Sequence, residues 1–151
     1  VFPRPMVVFE IPSEYGWTII GAAIIPYVGM QVLGGQVMAA RKKFDVQYPN
    51  LYAVPGYHKN ADEFNKVQRG HQNALENITG VVALCLVGGL KHPIACGIAG
   101  VLWTAARFLY MSGYKEAPDK RYSKGAVIMW IGVLTALIST GKLAYDLINS
   151  K

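Results

Sequence analysis

The chain is predicted to be an all-α membrane protein, an antiparallel bundle of four transmembrane helices, on three observations. Apolar residues make up 52% of the sequence and charged residues only 16%, against roughly 25% charged in soluble domains. Long apolar segments recur four times, separated by charged stretches. The basic residues gather at the ends of those segments instead of forming one patch. A net charge of +6 would suit nucleic acid, but this placement excludes that partner and favours the positive-inside pattern of a membrane protein. At 151 residues the chain fits one domain. It divides into an N-terminal extended arm, 1–13, and a single four-helix membrane domain, 14–151.

The arm holds Pro3, Pro5 and Pro12 and has neither a helical period nor a signal-peptide pattern. Trp17 to Ala40 is 24 residues without a formal charge, about 36 Å as a helix. Pro26 predicts a kink in it, and Arg41-Lys42-Lys43 mark the membrane edge. Tyr48-Pro49, Pro55-Gly56 and Lys59-Asn60 make Phe44 to Asp62 a loop. The next helix, Glu63 to Leu90, is polar in its first half and apolar in its second. Its apolar part, Ile78 to Leu90, reaches only about 20 Å, so spanning draws Arg69, Asn73 and Glu76 partly into the bilayer, where polar groups are costly and mark function. Lys91-His92-Pro93 is a tight turn, with Pro93 opening the third helix.

Ile94 to Tyr114 is apolar apart from Arg107. Lys115 to Lys124 is a charged loop. Gly125 to Gly141 is the fourth apolar run, continued through Ile148 with Lys142 and Asp146 interleaved. Ten basic residues lie on the side of the first and third loops and four on or towards the other, with Arg107 inside the membrane. That places loops one and three in the cytosol or matrix and both termini opposite. Cys85 and Cys96 sit in apolar runs and read as buried thiols. His58, His71 and His92 show no metal-ligand spacing.

Arg69, Asn73 and Glu76 stand at i, i+4 and i+7, one stripe of the second helix. His71, about 200° round from Arg69, faces another neighbour. Arg107, Tyr110 and Tyr114 form a matching stripe on the third helix, with Arg121 in the loop beyond. In an antiparallel bundle the two stripes lie at the same depth. Together they offer cationic, amide and phenolic donors and one carboxylate. This inventory fits a small zwitterion with several carboxylates, such as a peptide. Alternatively, Glu76 pairs with Arg69 or Arg107 only to stabilise the bundle.

Three runs of residues resemble the MAPEG family of membrane proteins in eicosanoid and glutathione metabolism, and most of all its microsomal glutathione transferase type 3 branch. They are Ala40-Arg41-Lys42-Lys43-Phe44-Asp45-Val46, Tyr48-Pro49-Asn50-Leu51-Tyr52, and the stretch from Phe64 to Glu76. Ala106-Arg107-Phe108-Leu109-Tyr110, Gly113-Tyr114 and Lys120-Arg121 follow in the expected order. The resemblance covers roughly residues 14 to 145. It implies a homotrimer with glutathione as co-substrate between neighbouring subunits, and no metal. By the same resemblance Arg69, Asn73, Glu76, Tyr110, Tyr114 and Arg121 match contacts from one subunit, and Arg41 and His71 contacts from the next. Arg121 falls at the sulfur and is the candidate catalytic residue. Arg107 joins the binding set through its place on the third-helix stripe.

Asn77 stands where the leukotriene-forming branch has tyrosine, which turns the expectation away from leukotriene synthesis. The implied enzyme would conjugate glutathione to lipophilic electrophiles or reduce lipid hydroperoxides, its second substrate entering from membrane lipid. It would lie in the endoplasmic reticulum or a mitochondrial membrane. Two rival readings are a non-catalytic lipid-binding or scaffold protein, and an accessory subunit of a larger membrane complex.

Overall fold

The computed structural model describes residues 10–150. Four long helices account for most of them: α1 (Tyr15–Phe44), α2 (Ala61–Gly89), α3 (Pro93–Glu116) and α4 (Met129–Asn149). Short 3₁₀ turns at Pro118–Tyr122 and Ala126–Ile128 join α3 to α4. Most of the expected arm, residues 1–9, lies outside the described residues.

Each helix begins and ends for local reasons. Arg41, Lys42 and Lys43 occupy the last turn of α1, where cations complement the helix dipole, so the helix runs past the hydrophobic edge to Phe44. Asp45 then takes the left-handed conformation at φ 54°, which stops the helix, and the Val46 N–H donates to the Arg41 carbonyl at 3.1 Å. The kink expected at Pro26 takes the form of a π-helical turn, Ile19–Ile24, just ahead of the proline. Proline removes one N–H from the ladder, and a wider turn is a common way to absorb that defect. Pro93 opens α3 as its first residue, where a missing N–H costs nothing.

α3 is central and packs on the other three helices. Its closest crossing, with α1, is built on glycine: a Cβ on Gly21 would strike the Gly97 carbonyl, and one on Gly100 the Gly21 carbonyl. Trp103, Phe64, Leu33, Met111, Cys85 and Cys96 fill the core, and both cysteines are free thiols. Outward, Ile20, Ile24, Val28 and Val32 of α1 and Ile131, Leu134, Leu137 and Ile138 of α4 stand exposed. Apolar faces of this extent belong against lipid.

Among the described residues three helices are long and apolar enough to cross a membrane: Tyr15–Phe44, Pro93–Glu116 and Ala126–Asn149. α2 is the fourth expected segment, the one whose apolar part is too short to span unless its polar half is drawn in. α2, at 29 residues, has the length but not the composition, because Asp62, Glu63, Lys66, Arg69 and Glu76 occupy its first half.

Loops one and three lie at one end, where Tyr52 and Pro118 share a cleft with Arg69. The α2–α3 turn lies at the other, where Lys91 pairs with Asp146 of α4. Cysteines introduced at positions 59 and 120 should therefore label equally with an impermeant reagent, and one at position 150 should label only from the opposite side. Any other pattern would break the topology.

Candidate functional site

The polar stripes of α2 and α3 meet. Arg107 Nη1 donates to Asn73 Oδ1 at 2.9 Å, and Arg69 Nη1 forms an ion pair with Glu76 Oε1 at 2.6 Å. Helical spacing accounts for both: positions 69, 73 and 76 share one face, and antiparallel packing brings residue 107 to the same depth.

Arg107 is the most deeply buried charge in the cluster, with 3% of its surface exposed. Its guanidinium contacts the Met129 thioether through Nη2 at 2.6 Å and lies 4.8 Å from the Trp103 ring and 5.6 Å from the Tyr110 ring. Arg107 Nε has no hydrogen-bond partner among the described residues. Every group touching this cation is neutral. Cation–π contact offsets part of the desolvation cost, but among the described residues no carboxylate pairs with the charge.

An aromatic stack carries the site to the helix end. Tyr110 and Tyr114 are stacked with centroids 5.7 Å apart, and Tyr122 meets Tyr110 edge-on at 5.8 Å. Arg121 lies beside this stack, its guanidinium 5.2 Å from the Tyr122 ring and hydrogen-bonded to the Pro118 carbonyl at 2.9 Å. The 3₁₀ turn carrying both residues sits hard against α3 at Gly113, where a Cβ would strike the Lys120 carbonyl.

Two clefts flank the cluster. One, of about 550 Å³, runs past Tyr52, Asn65, Lys66, Arg69, Tyr114 and Pro118. The other, of about 290 Å³, starts at Asn73, Arg107 and Tyr122 and continues between Val81, Leu84, Trp130 and Val133. The first cleft carries the charges of Asp62, Lys66 and Arg69; the second carries Asn73, Asn77 and Arg107 among apolar walls. Loop one holds the wall of the first cleft: the Asn65 side chain brackets Ala53 through both backbone groups, at 2.8 and 3.0 Å, and the Tyr52 hydroxyl donates to Gln72.

Within one chain the residues singled out from sequence fall into two sets. Arg69, Asn73, Glu76, Arg107, Tyr110, Tyr114 and Arg121 converge. Arg41 and His71 lie elsewhere. Arg41 donates to the Val46 and Asn50 carbonyls at 3.2 and 2.8 Å and covers the Tyr48 ring at 4.4 Å. His71 packs towards α1, where a Cβ on Gly34 would lie 3.6 Å from its Nε2.

Trp103, Tyr122 and Met129 also shape the site and were not foreseen. Trp103 had a usable signal, since it stands four residues before Arg107 on the same stripe. Tyr122 and Met129 had none; a loop tyrosine and an apolar-run methionine look ordinary in sequence.

A family model described as MAPEG family matches residues 19–145. Leukotriene C4 synthase of Bos taurus is 28% identical over 134 residues, covering 86% of this chain and 80% of that protein. An uncharacterized protein of Synechocystis is 32% identical over 112 residues, 72% of this chain and 77% of its own. Microsomal glutathione S-transferase 2 of Homo sapiens is 29% identical over 109 residues, 72% and 68% respectively.

Proposed function

This chain belongs to the MAPEG family, and from that premise we propose that it is a glutathione-dependent integral membrane transferase or peroxidase. The observation that carries the reading is the buried, uncompensated Arg107 joined to Asn73 beside Arg69, Glu76 and Arg121. Three guanidinium groups against one carboxylate leave two positive charges at the site. Glutathione in its thiolate form carries two carboxylates, one ammonium and one thiolate, a net of two negative charges. The charges match. The relatives named for leukotriene C4 synthesis and glutathione transfer lend the same direction.

The chemistry follows from the thiol. A thiol of reference pKa about 8.5 is mostly protonated at neutral pH, and its thiolate is the nucleophile. A fixed cation beside the sulfur favours the charged form. Arg121 is assigned that task; as an arginine it keeps its proton and acts by electrostatics. In conjugation the thiolate forms a bond to an electrophilic carbon as that carbon's bond to an epoxide oxygen or a leaving group breaks, the departing group taking the electron pair and a proton from water. In peroxide reduction the thiolate attacks the peroxide oxygen, the O–O bond breaks to release the alcohol and leave a sulfenic acid, and a second glutathione displaces water from that sulfur to give the disulfide. The lipophilic partner would reach the sulfur from the bilayer along the cleft lined by Leu84, Trp130 and Val133.

The reading includes a homotrimer in an endoplasmic reticulum or mitochondrial membrane, with each ligand shared between subunits through Arg41 and His71 of a neighbour. Calorimetric titration of the detergent-purified protein with glutathione tests the core of it. Saturable binding is expected. Its absence from a folded protein would overturn the reading in favour of a lipid-binding scaffold or accessory subunit.

The shared site makes a further prediction. Arg69→Ala and Arg41→Ala proteins, each inactive alone, should recover part of the activity when mixed, because some interfaces then carry both wild-type residues. Mixed oligomers without any recovery would reject sharing.

A further inference from the structure

A third cleft, of about 400 Å³, lies between the end of α1, the start of α2 and the end of α3, and shares no lining residue with the Arg107 cluster. Its walls are Gln36, Ala39, Lys43 and Phe44 of α1, Glu63 of α2 and Lys115 of α3. Lys43 and Lys115 are the penultimate residues of their helices, so both ammonium groups stand at the basic membrane edge. Lys43 Nζ lies 5.1 Å from the Phe44 ring centroid. The Lys115 ammonium reaches back along the bundle to donate to Gln36.

Among the described residues neither lysine has a carboxylate partner within ion-pair distance, whereas Lys120 and Lys124 of the next loop both pair with Glu116. Two ammonium groups against Glu63 leave the cleft one net positive charge. Below it, the stripe continues down α1 through exposed Val32 and Val28, four residues apart and on the face of Gln36 and Lys43. A basic, hydrogen-bonding mouth at the headgroup level thus runs into an open apolar track.

We propose that this cleft is a binding site for an anionic phospholipid of the leaflet on the side of loops one and three. The phosphate would lie between Lys43 and Lys115, the glycerol region over Ala39 and Phe44, and one acyl chain along Val32 and Val28. Charge complementarity chooses the occupant: a zwitterionic lipid would bring its own cation to a mouth that is already positive, while a singly anionic one neutralises it. The site stands independently of the glutathione reading, since it uses none of the same residues.

Native mass spectrometry of the full chain in detergent, titrated with phosphatidylglycerol or phosphatidylcholine of equal chain length, reads the preference directly. The wild type should retain the anionic lipid preferentially. Lys43→Gln/Lys115→Gln should weaken that preference by roughly 25-fold, at about fivefold per lysine at a membrane surface. Ala39→Phe, which fills the floor without changing charge, should displace the same lipid. Lys42→Gln/Lys59→Gln, which removes two positive charges of the same membrane side outside the cleft, should keep the preference. Equal loss in that control would assign the effect to bulk charge and overturn the proposal. So would unchanged binding in the cleft variants, equal retention of phosphatidylcholine, or equally tight binding of glycerol phosphate without acyl chains.

Discussion

Replacing Arg121 with alanine is expected to slow turnover by about 10²- to 10³-fold, the loss typical of removing one group that stabilises developing or fixed negative charge. The fold should survive, because Arg121 contributes one hydrogen bond to the Pro118 carbonyl and a ring contact with Tyr122. Glutathione binding should weaken much less than turnover. The distinguishing readout is the pH dependence of thiolate formation in the complex, followed by ultraviolet absorbance. A cation within a few ångströms lowers a thiol pKa by about one to three units. Its loss must therefore move the titration to higher pH by a similar amount. Raising the pH should partly rescue the mutant, since the thiolate then forms unaided. A titration curve identical to that of the wild type would remove Arg121 from the role, and Arg41 or Tyr114 would be examined next.

Arg107→Met should separate stability from binding. The guanidinium is almost fully buried, and its partners are Asn73, the Met129 sulfur and aromatic rings. Removing a buried charge whose partners are all neutral relieves its desolvation cost and leaves no opposite charge stranded. The empty variant should therefore unfold at the same temperature as the wild type or higher. Glutathione affinity should fall by at least about 30-fold, the roughly 2 kcal/mol lower bound for truncating one member of a buried charged pair. Such a trade of stability for function is what a site kept for ligand binding predicts. A strongly destabilised variant that still binds glutathione normally would make Arg107 a structural residue instead.

The parts of this fold that hydropathy and periodicity control were legible. The charge-free run of α1 and the position of Pro93 follow from composition and backbone chemistry alone. The stripes 69/73/76 and 107/110/114 were visible because helical spacing is strict. Their meeting followed from antiparallel packing, and the Arg107–Asn73 hydrogen bond realises it. Helix ends were less legible, because hydropathy stops at the first charge while the helix does not. Arg41, Lys42 and Lys43 end the apolar run yet complete the last turn of α1.

The response to Pro26 was hidden for a different reason. A proline requires that the ladder be repaired but does not specify how, and the π turn at Ile19–Ile24 holds Gly21 against Gly97, a contact that no local pattern announces. In the site, Tyr122 and Met129 reach Arg107 or Tyr110 through tertiary geometry that no local pattern encodes.

The three-residue turn between α2 and α3 bears on how the protein is made. A nascent α2 emerging alone from the ribosome would present Arg69, Asn73 and Glu76 to a translocation channel with only its short apolar half to hold it in lipid. Only when α3 arrives does Asn73 gain its partner, Arg107. Arg107 in turn enters hydrocarbon with that amide already alongside. Leu90, Lys91 and His92 permit little separation in time or space. The turn thus ties α2, whose polar half burdens its entry into lipid, to α3, which is apolar enough to cross and carries Arg107, the partner of Asn73.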